Sequence, residues 1–325
     1  AYIVYTSGST GAPKGIEVEH GHLAHYCEGI WAVMGLGAGD RFATVTSAAA
    51  DLGHTMLFPP LLNGGCVVLV PEVIATDAVA LAEYFGRRPV DCLKIVPAHL
   101  RALMGPGQSP ALLPAKLLVL GGEACPPELI QEIRTLSPAL RILNHYGPSE
   151  TTVGVLAYEV PNNGSFSGST VPLGFPIGAA RAYVLDGQGQ PVPDGIHGEI
   201  YIGGPTVARG YLNRPEWTAE KFQANPWIPG ERLYRSGDRG RKLENGAIEF
   251  LGRVDRQIKI RGFRVDLEEI EQAILSLPDV EQAVVLPPPD KGPTSRLSAY
   301  VHRRAGSEVG TQTMTRYLKS RLPGY

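Results

Sequence analysis

Short apolar runs alternate with longer segments of mixed polarity between residues 41 and 146. The runs are rich in Val, Ile and Leu and have the length of buried strands, whereas the segments between them are long enough for helices. This alternation predicts an α/β fold of layered, mostly parallel sheets with helices. The predicted strands span residues 41–46, 66–70, 91–96, 116–120 and 141–145.

Several polar or flexible residues fall at the carboxyl ends of these predicted strands. In open parallel sheets ligands lie beyond that edge, because the loops that leave the strands surround it. The residues that the pattern places there are Lys94, Gly121, Gly122, His145 and Tyr146. The sequence therefore predicts a ligand-binding site along this edge.

The pattern changes after residue 160. Segment 161–172 is rich in Gly, Ser and Asn, and the short runs that follow are separated by turns containing Gly and Pro. Closely spaced short strands of this kind predict a β-barrel-like subdomain. Its predicted strands are residues 182–185, 198–202 and 247–251.

A third pattern begins near residue 255. Asp266 and Glu269 have the spacing of a capping box and precede an amphipathic run, so a helix is predicted to begin at Asp266. Together with the neighbouring strands, this helix predicts a small α+β subdomain. The predicted strands are residues 257–260, 280–286 and 297–302. We therefore divide the chain into two parts, a large subdomain over residues 1–254 and a C-terminal subdomain over residues 255–325.

The bulk composition narrows the range of partners. The 325-residue chain has a net charge of −2 at pH 7, which gives no electrostatic reason to expect nucleic acid or an anionic membrane surface. Its apolar runs are too short to span a bilayer. The four cysteines are far apart, without metal or disulfide spacing, so we expect the buried thiols of a cytoplasmic protein. They are Cys27, Cys66, Cys92 and Cys125.

A loop rich in Gly, Ser and Thr, residues 5–15, follows the apolar run at residues 1–4. Its backbone N–H groups, its hydroxyls and the cation of Lys14 suit a polyphosphate. The spacing differs from the Walker pattern, because Pro13 precedes the lysine and Gly15 follows it. A flexible linker is the alternative, but linkers rarely follow a strand-like run. The loop therefore predicts a nucleoside triphosphate ligand.

Three further motifs carry groups that suit a nucleotide. The ring of Tyr146 could stack on a base, and Glu150 offers a hard oxygen ligand for Mg²⁺. Asp238 lies in a predicted turn and could accept hydrogen bonds from two ribose hydroxyls. Segment 252–262 adds charged residues at the predicted domain boundary. Each motif alone is compatible with a solvated turn or a surface ion pair, but their order after the phosphate loop favours a single nucleotide site.

With these motifs, the chain closely resembles the adenylation domains of nonribosomal peptide synthetases, which belong to the superfamily of adenylate-forming enzymes. The likeness covers essentially the whole chain, and the matching segments are residues 6–15, 144–152, 198–211, 234–238 and 252–264. The resemblance implies that a phosphate loop contacts ATP through Thr6, Ser7, Gly8, Ser9, Thr10, Gly11 and Lys14.

The resemblance also implies roles for single residues around the nucleotide. Asn144 and Tyr146 would contact ATP, with Tyr146 packed on the adenine, while Asp238 would hold the ribose. Glu150 would bind Mg²⁺, and Arg253 would lie near the ribose and the phosphates. The catalytic residues would be Thr6, Lys14, Glu150 and Arg253, and the hinge of the C-terminal subdomain would be Asp255.

The chemistry that the resemblance implies has two steps. A substrate carboxylate attacks the α-phosphate of ATP, which gives an acyl-adenylate and pyrophosphate, and Mg²⁺ stabilises the phosphate charge. The acyl group then passes to a phosphopantetheine thiol on a carrier domain. The partners would be this carrier domain and the neighbouring synthetase domains of the same polypeptide. Segment 261–263 is similar to the loop that enters the site for the second step.

The chain differs from the family pattern at both ends. It begins at the phosphate loop, and it stops at residue 325, before the position where the family's second catalytic lysine normally lies. We therefore expect a fragment of a longer polypeptide that adenylates poorly when it is expressed alone. Pyrophosphate exchange by the isolated chain would test this expectation.

A substrate pocket follows from the same likeness. Asp51 stands in an otherwise apolar segment, where a buried carboxylate needs a cation, although a helix cap is an alternative. It aligns with the family residue that anchors the α-amino group of an amino acid. Acyl-CoA synthetases have no reason to keep such a residue. The other pocket positions are Leu52, Thr55, Lys94, Val119, Gly121, His145, Val153 and Gly154.

Lys94 and His145 indicate which amino acid fits this pocket. Lys94 lies in a strand that looks buried, so its ammonium either extends to solvent or needs an anion. A substrate side-chain carboxylate would satisfy Lys94, and His145 could donate a second hydrogen bond to it. The set of pocket residues resembles that of aspartate-activating domains and departs only conservatively at Val153.

Other substrates and classes stay open from the sequence. Asparagine pockets are similar but tend to carry an acidic residue where His145 stands, and glutamate is not excluded by one extra methylene. A general acyl-CoA synthetase would show an apolar pocket without need of Asp51. A non-catalytic remnant that docks a carrier would keep the fold but bind nucleotide weakly.

Overall fold

The computed structural model describes residues 1–6, 13–47, 49–105, 109–162, 166, 168–260, 263–287, 296–304 and 310–322. Up to residue 146, strands and helices alternate as predicted. The elements are β1 (Tyr2–Thr6), β2 (Lys14–Val18), α1 (His20–Met34), β3 (Arg41–Thr44), α2 (Phe58–Leu62), β4 (Cys66–Leu69), α3 (Glu72–Ala75), α4 (Ala78–Arg87), β5 (Cys92–Ile95), α5 (Pro97–Met104), β6 (Leu117–Gly121), α6 (Pro127–Leu136) and β7 (Arg141–Tyr146). Short 3-10 helices lie at Asp51–Met56, Pro110–Leu112 and Ser149–Thr151.

Beyond residue 146 the described elements are mostly strands. They are β8 (Leu156–Glu159), β9 (Phe175–Pro176), β10 (Arg181–Leu185), β11 (His197–Gly203), β12 (Gly210–Tyr211), α7 (Pro215–Lys221), β13 (Phe222–Ala224), β14 (Arg232–Lys242), β15 (Ile248–Arg253), β16 (Gln257–Ile260), β17 (Phe263–Asp266), α8 (Leu267–Leu275), β18 (Val280–Leu286), β19 (Ser298–Arg303) and α9 (Thr311–Arg321).

A sheet with the strand order β4-β3-β5-β6-β7-β8-β9 forms the centre of the first half. The five strands from β4 to β7 run parallel, as predicted, and their ends lie within two residues of the predicted limits. All residues of β5 and β6 are buried, because helices cover both faces of such a sheet. The register places Lys94 opposite Val119 and Gly121 opposite His145. The predicted pocket residues are therefore neighbours across three strands.

Two antiparallel sheets accompany the parallel sheet. One has the order β10-β11-β14-β13, with β15 beside β14, and is the half-barrel that corresponds to the predicted β-barrel-like part. Its register pairs Asp238 with Arg253. The other consists of β1, β2 and β12, and its hairpin pairs Thr6 with Lys14. The two ends of the predicted phosphate loop therefore lie side by side.

The part beyond residue 255 has an apolar cluster of its own. In this cluster α8 packs against the hairpin of β18 and β19. Asp266 caps α8 by accepting a hydrogen bond from the backbone N–H of Glu268, as expected from a favoured cap residue. The fully buried members of the cluster are Leu267, Ile274, Leu277, Val280 and Val285.

The cysteines follow the expected burial with one exception. Cys27, Cys92 and Cys125 are buried, whereas the expectation is wrong for Cys66, which is exposed. The reason is its position at the start of β4, the edge strand of the parallel sheet. Among the described helices, none has both the length and the apolar character needed to cross a bilayer.

Candidate functional site

The carboxyl end of β5 packs against a 3-10 helix, Asp51–Met56, and the neighbouring strands β6 and β7 carry Gly121 and His145 of the predicted substrate pocket. Lys94 comes from β5 and is only 1% exposed, although a lysine usually extends its ammonium to water. Its Nζ donates to Thr55 Oγ1 at 2.7 Å and lies 3.0 Å from His145 Nδ1. The interpretation of Lys94 as a surface lysine is therefore wrong. We refer to Asp51, Thr55, Lys94 and His145 as the Lys94 cluster.

Burial disfavours charge throughout the Lys94 cluster. Desolvation lowers the pKa of Lys94 to about 7, although the negative charge of Asp51 opposes this shift. Burial, reinforced by the ammonium of Lys94, holds the pKa of His145 well below its usual value, so the imidazole is neutral at pH 7. Both hydrogen-bond partners of Lys94 are therefore neutral. The ammonium is poised to accept an anion from a ligand.

Asp51 provides the negative charge of the pocket. Burial raises the pKa of its carboxyl group, whereas a hydrogen bond from Ser149 and the nearby His54 and Lys94 oppose that shift. Its Oδ2 is buried and has no hydrogen-bond partner within the described part of the chain. An unsatisfied carboxylate oxygen is costly unless a ligand supplies a donor. An ammonium group of a ligand would satisfy it.

Small residues give the pocket its shape. A Cβ on Gly154 would lie 2.2 Å from His145 Nε2, and a Cβ on Gly121 would lie 2.7 Å from the carbonyl oxygen of the same histidine. Glycine at position 154 therefore leaves room for the imidazole, and glycine at position 121 lets the backbones of β6 and β7 approach each other. Leu52 packs over Gly122, whose φ of +87° also requires glycine.

The wall behind the histidine is apolar and its backbone is strained. Val119 and Val153 belong to one buried cluster with Tyr26 of α1. Thr152 and Val153 have φ values of 61° and 65°, a conformation that β-branched residues rarely adopt. Thr152 is fixed there by a hydrogen bond from its hydroxyl to the carbonyl of Thr206. Such strain is common where a binding site requires an exact backbone path.

A cavity of about 390 Å³ lies beside His145, between β7, α5, β15 and β16. Asn144 lines it and is fixed by donating to the carbonyls of Val171 and Pro172. The ring of Tyr146 faces the ammonium of Lys259 at 5.8 Å. The cavity therefore offers an aromatic face beside polar groups, which is the lining that a nucleoside needs.

Asp238 is held in place at the other side of this cavity. Its Oδ2 accepts from the hydroxyl of Tyr146, and its Oδ1 accepts from Arg253. Arg253 also makes two hydrogen bonds to Asp255. Burial alone would lower the pKa of Arg253, but the carboxylates of Asp255 and Asp238 outweigh it and raise that pKa. The guanidinium is thus a fixed cation at the cavity wall.

Glu150 makes a buried ion pair beside the cavity. Its side chain is 1% exposed, and Arg264 Nη1 donates to its two oxygens at 2.9 and 3.0 Å. The hydroxyl of Tyr211 also donates to Oε1 at 2.7 Å. Burial alone would raise the pKa of Glu150, but the charge of Arg264 and the hydrogen bonds to the carboxylate together outweigh it and lower that pKa. We refer to Glu150, Tyr211 and Arg264 as the Glu150 cluster.

Lys14 lies beside the Glu150 cluster. It is 8% exposed, and its Nζ is 4.9 Å from the centre of the Trp217 ring and 5.8 Å from that of Tyr211. Burial, together with the charge of Arg264, lowers the pKa of its ammonium. Thr6 Oγ1 is buried and has no hydrogen-bond partner among the described residues. The predicted phosphate contacts Ser7, Gly8, Ser9, Thr10 and Gly11 lie outside the described residues.

The structure brings the predicted residues into two adjoining sites, and it adds residues that the sequence did not single out. Tyr26 and Trp217 look like ordinary core aromatics in the sequence. Arg264 lies at the end of the segment 252–264 that resembles the family, and this place in the segment is the signal that could have found it. No group of three His, Cys, Asp or Glu side chains among the described residues is arranged to hold a metal ion.

This fold and this pair of sites define a class, the adenylation domains. A family model described as "AMP-binding enzyme" matches residues 1–212, and the chain belongs to that family.

Named relatives agree with this membership. The chain is 38% identical over 326 residues to the dimodular nonribosomal peptide synthase of Bacillus subtilis (strain 168). This match covers 100% of the chain and 13% of that synthase. It is similar to the Vibrio cholerae adenylation domain AlmE, solved with glycyl-adenosine-5'-phosphate, at 29% identity and a TM-score of 0.86, over 100% of this chain and 61% of that one. It is also similar to PA1221, a nonribosomal peptide synthetase protein with adenylation and PCP domains, at 28% identity and a TM-score of 0.86, over 98% of this chain and 54% of that one.

These matches cover all or nearly all of the chain but only part of each relative. The chain spans only 9% and 13% of the first two curated synthetases that it matches. What the relatives do as whole proteins therefore enters below as a proposal.

Proposed function

We propose that this chain carries an amino-acid adenylation site that activates L-aspartate with ATP, as part of a nonribosomal peptide synthetase. The acyl-adenylate would form by attack of the α-carboxylate of aspartate on the α-phosphate of ATP, with pyrophosphate as the leaving group. The nucleotide-side residues that support this proposal surround the 390 Å³ cavity. The amino-acid side rests on the Lys94 cluster.

The observation that carries the substrate assignment is the buried ammonium of Lys94 with only neutral hydrogen-bond partners. Thr55 and neutral His145 cannot balance its charge, so an anionic side chain at the inner end of the pocket is favoured. Asp51 has a buried oxygen to which no described residue donates, and this oxygen suits the α-amino group of the same ligand. Aspartate is short and carries both complementary charges. Asparagine would satisfy Asp51 but leave the ammonium without a counter-ion.

For the nucleotide we propose the following contacts. The adenine would lie against Tyr146, the ribose hydroxyls would bind Asp238, and Arg253 and Lys14 would face the phosphates. Asp238 is already oriented by Tyr146 and Arg253, so it needs little rearrangement. Thr6, whose hydroxyl lacks a described partner, would donate to a phosphate oxygen.

Glu150 is the proposed ligand of Mg²⁺. Its donor chemistry fits, because this buried carboxylate already binds a cation, the guanidinium of Arg264. Mg²⁺ bound there would neutralise charge on the phosphates. Glu150 can hold the metal only when Arg264 has withdrawn, since Arg264 donates to both carboxylate oxygens.

For the second step we propose transfer of the aspartyl group to a phosphopantetheine thiol of a carrier domain. Support comes from PA1221, which contains an adenylation and a PCP domain. We further propose that the C-terminal subdomain begins at residue 255 and turns about Asp255. The separate apolar cluster of that part and the position of Asp255 between β15 and β16 support this boundary.

The test is ATP–pyrophosphate exchange in the full-length protein with a panel of amino acids and fatty acids. We expect aspartate to give the fastest exchange, with asparagine and glutamate at least about tenfold slower. Equal exchange with an apolar amino acid, or faster exchange with a fatty acid, would contradict the proposal. Calorimetry with ATP and Mg²⁺ would separately identify a non-catalytic remnant, which would bind the nucleotide weakly.

A further inference from the structure

Tyr26 lies in the middle of α1 and is 1% exposed. Its hydroxyl is 2.6 Å from Thr55 Oγ1, and its ring centre is 6.0 Å from that of His145. Thr55 and His145 are the two hydrogen-bond partners of Lys94. One aromatic side chain behind the pocket therefore contacts both groups that hold the buried ammonium.

Thr55 forms hydrogen bonds to both Lys94 and Tyr26 through its hydroxyl. An ammonium has donors only, so Thr55 Oγ1 must accept from Lys94. The second bond of this hydroxyl, to Tyr26, can run in either direction. In both cases the hydroxyl of Thr55 is held from two sides and cannot rotate freely. The acceptor that positions Lys94 is thus itself positioned by Tyr26.

The ring of Tyr26 acts on the same site from a second direction. It belongs to the buried cluster that includes Val119 and Val153, the two apolar positions of the pocket wall. Tyr26 of this cluster lies beside the imidazole of His145, and Gly154 approaches the same ring so closely that a side chain there would clash with it. His145 Nε2 is buried and has no partner within the described residues, so the hydrogen bond between Nδ1 and Lys94 and the packing of the ring hold the imidazole in place.

We infer that Tyr26 is a positioning residue for substrate selectivity, which fixes the ammonium of Lys94 through the hydroxyl of Thr55. This inference rests on the proposed function, because it assumes that Lys94 binds a substrate carboxylate. Without the Tyr26 hydroxyl, Thr55 can turn away and Lys94 can follow it or shift toward His145. The carboxylate then meets a less well placed donor, whereas an uncharged side chain loses little.

The experiment uses the full-length protein and compares aspartate with asparagine by ATP–pyrophosphate exchange. In Tyr26→Phe the ring stays and only the hydroxyl is removed. We expect the ratio of kcat/KM for aspartate over asparagine to fall about tenfold, through a higher KM for aspartate, while the KM for ATP stays unchanged. Tyr201→Phe is the control, because this tyrosine packs with Leu185 and Leu233 on another sheet.

A double-mutant cycle separates positioning from a purely structural role. If Tyr26 acts through Thr55, Tyr26→Phe will lower the ratio no further in a Thr55→Val background, and Thr55→Ser will retain most of the wild-type ratio. An unchanged ratio in Tyr26→Phe, or additive losses in the double variant, would overturn the inference. If Tyr26→Phe does not fold, the two variants Thr55→Val and Thr55→Ser decide the question. A Thr55→Val protein with wild-type selectivity would also overturn the inference.

The outcomes for the two proposals are distinguishable. If the wild-type protein does not prefer aspartate, the proposed substrate assignment is wrong. If the wild-type protein prefers aspartate and the Tyr26→Phe variant keeps that selectivity, the substrate assignment stands and only the positioning role of Tyr26 is refuted.

Discussion

The Lys94 cluster and the Glu150 cluster solve the same physical problem in opposite ways. Each holds a charged side chain that is at most 1% exposed. Glu150 has an internal counter-ion, Arg264, whereas Lys94 has only neutral hydrogen-bond partners, and its pKa is lowered to about 7. A buried charge without a counter-ion is stable only when a ligand supplies one, and a paired charge must lose its partner before it can bind another ion.

This difference assigns the two clusters different tasks. In the proposed function the Lys94 cluster is ready for a ligand, and its selectivity comes from a buried ammonium whose hydrogen-bond partners, Thr55 and His145, are neutral. The Glu150 cluster is closed by a residue of β17, a strand that follows the proposed hinge. Its chemistry therefore depends on where the C-terminal part lies. The predictions below test this contrast from the largest expected effect to the smallest.

Removal of the Lys94 charge should have the largest effect. We expect Lys94→Met to lower kcat/KM for aspartate at least about a hundredfold, because a buried charge pair with the substrate is lost. The KM for ATP should stay within about twofold, since Lys94 makes none of the proposed nucleotide contacts. Lys242→Met, at a side chain that is 51% exposed, is the control. A variant that keeps the wild-type preference for aspartate would refute the carboxylate-binding role of Lys94.

Loss of Arg264 should expose the need of Glu150 for a cation. We expect Arg264→Met to lower the free energy of unfolding by about 3 kcal/mol in the presence of EDTA, because it leaves a buried carboxylate unpaired. Mg²⁺ should restore part of this loss, while the stability of the wild type should hardly respond to Mg²⁺. Denaturant unfolding with and without the metal measures both effects.

A surface ion pair provides the control for that experiment. Arg87→Met removes a pair whose side chains are 75% and 64% exposed, so its cost should be below about 1 kcal/mol with or without Mg²⁺. If Mg²⁺ does not stabilise Arg264→Met more than this control, Glu150 is not a metal ligand in the proposed sense.

The affinity for aspartate should depend on pH. In the free protein the pKa of Lys94 is about 7, and aspartate binds to the charged form, so binding must return a proton to Lys94 at higher pH. The dissociation constant should therefore rise above pH 7 and approach about tenfold per pH unit. Binding of asparagine should change little over the same range. Parallel pH profiles for the two amino acids would contradict the assignment.

A change at His145 should have the smallest effect of this series. In His145→Glu the new carboxylate gives Lys94 an internal counter-ion, which makes this cluster similar to the Glu150 cluster. We expect the preference to move from aspartate toward asparagine by about fivefold to tenfold, as measured by competitive exchange with both amino acids. A preference that does not move would weaken the role of His145.

The sequence predicts the fold well because its strongest patterns are local. The five parallel strands have the length, apolar composition and spacing that buried strands require, and all five lie within two residues of their predicted limits. Asp266 was predicted to begin α8 from cap chemistry alone, and it caps that helix. The predicted burial of Cys66 is wrong because local sequence patterns do not predict the order of strands in a sheet. That order places β4, which begins at Cys66, at the edge.

The candidate site shows the same limit. Asp51, Lys94 and His145 could be selected from the sequence because charged or polar residues stand out in apolar segments. Tyr26 and Trp217 could not, because an aromatic residue in a helix is as typical of a core as of a site. Their contacts with Thr55 and Lys14 join positions that are far apart in the chain, and only the folded structure shows such pairs.

The most direct test of the proposed role of Lys94 is the number of protons taken up when the amino acid binds. Calorimetry at pH 8 in buffers of different ionisation enthalpy measures this number. We predict that aspartate binding takes up close to one proton, because Lys94 becomes charged, and that asparagine binding takes up almost none. Equal proton uptake for the two amino acids would contradict the central claim that the substrate side chain provides the counter-ion of Lys94.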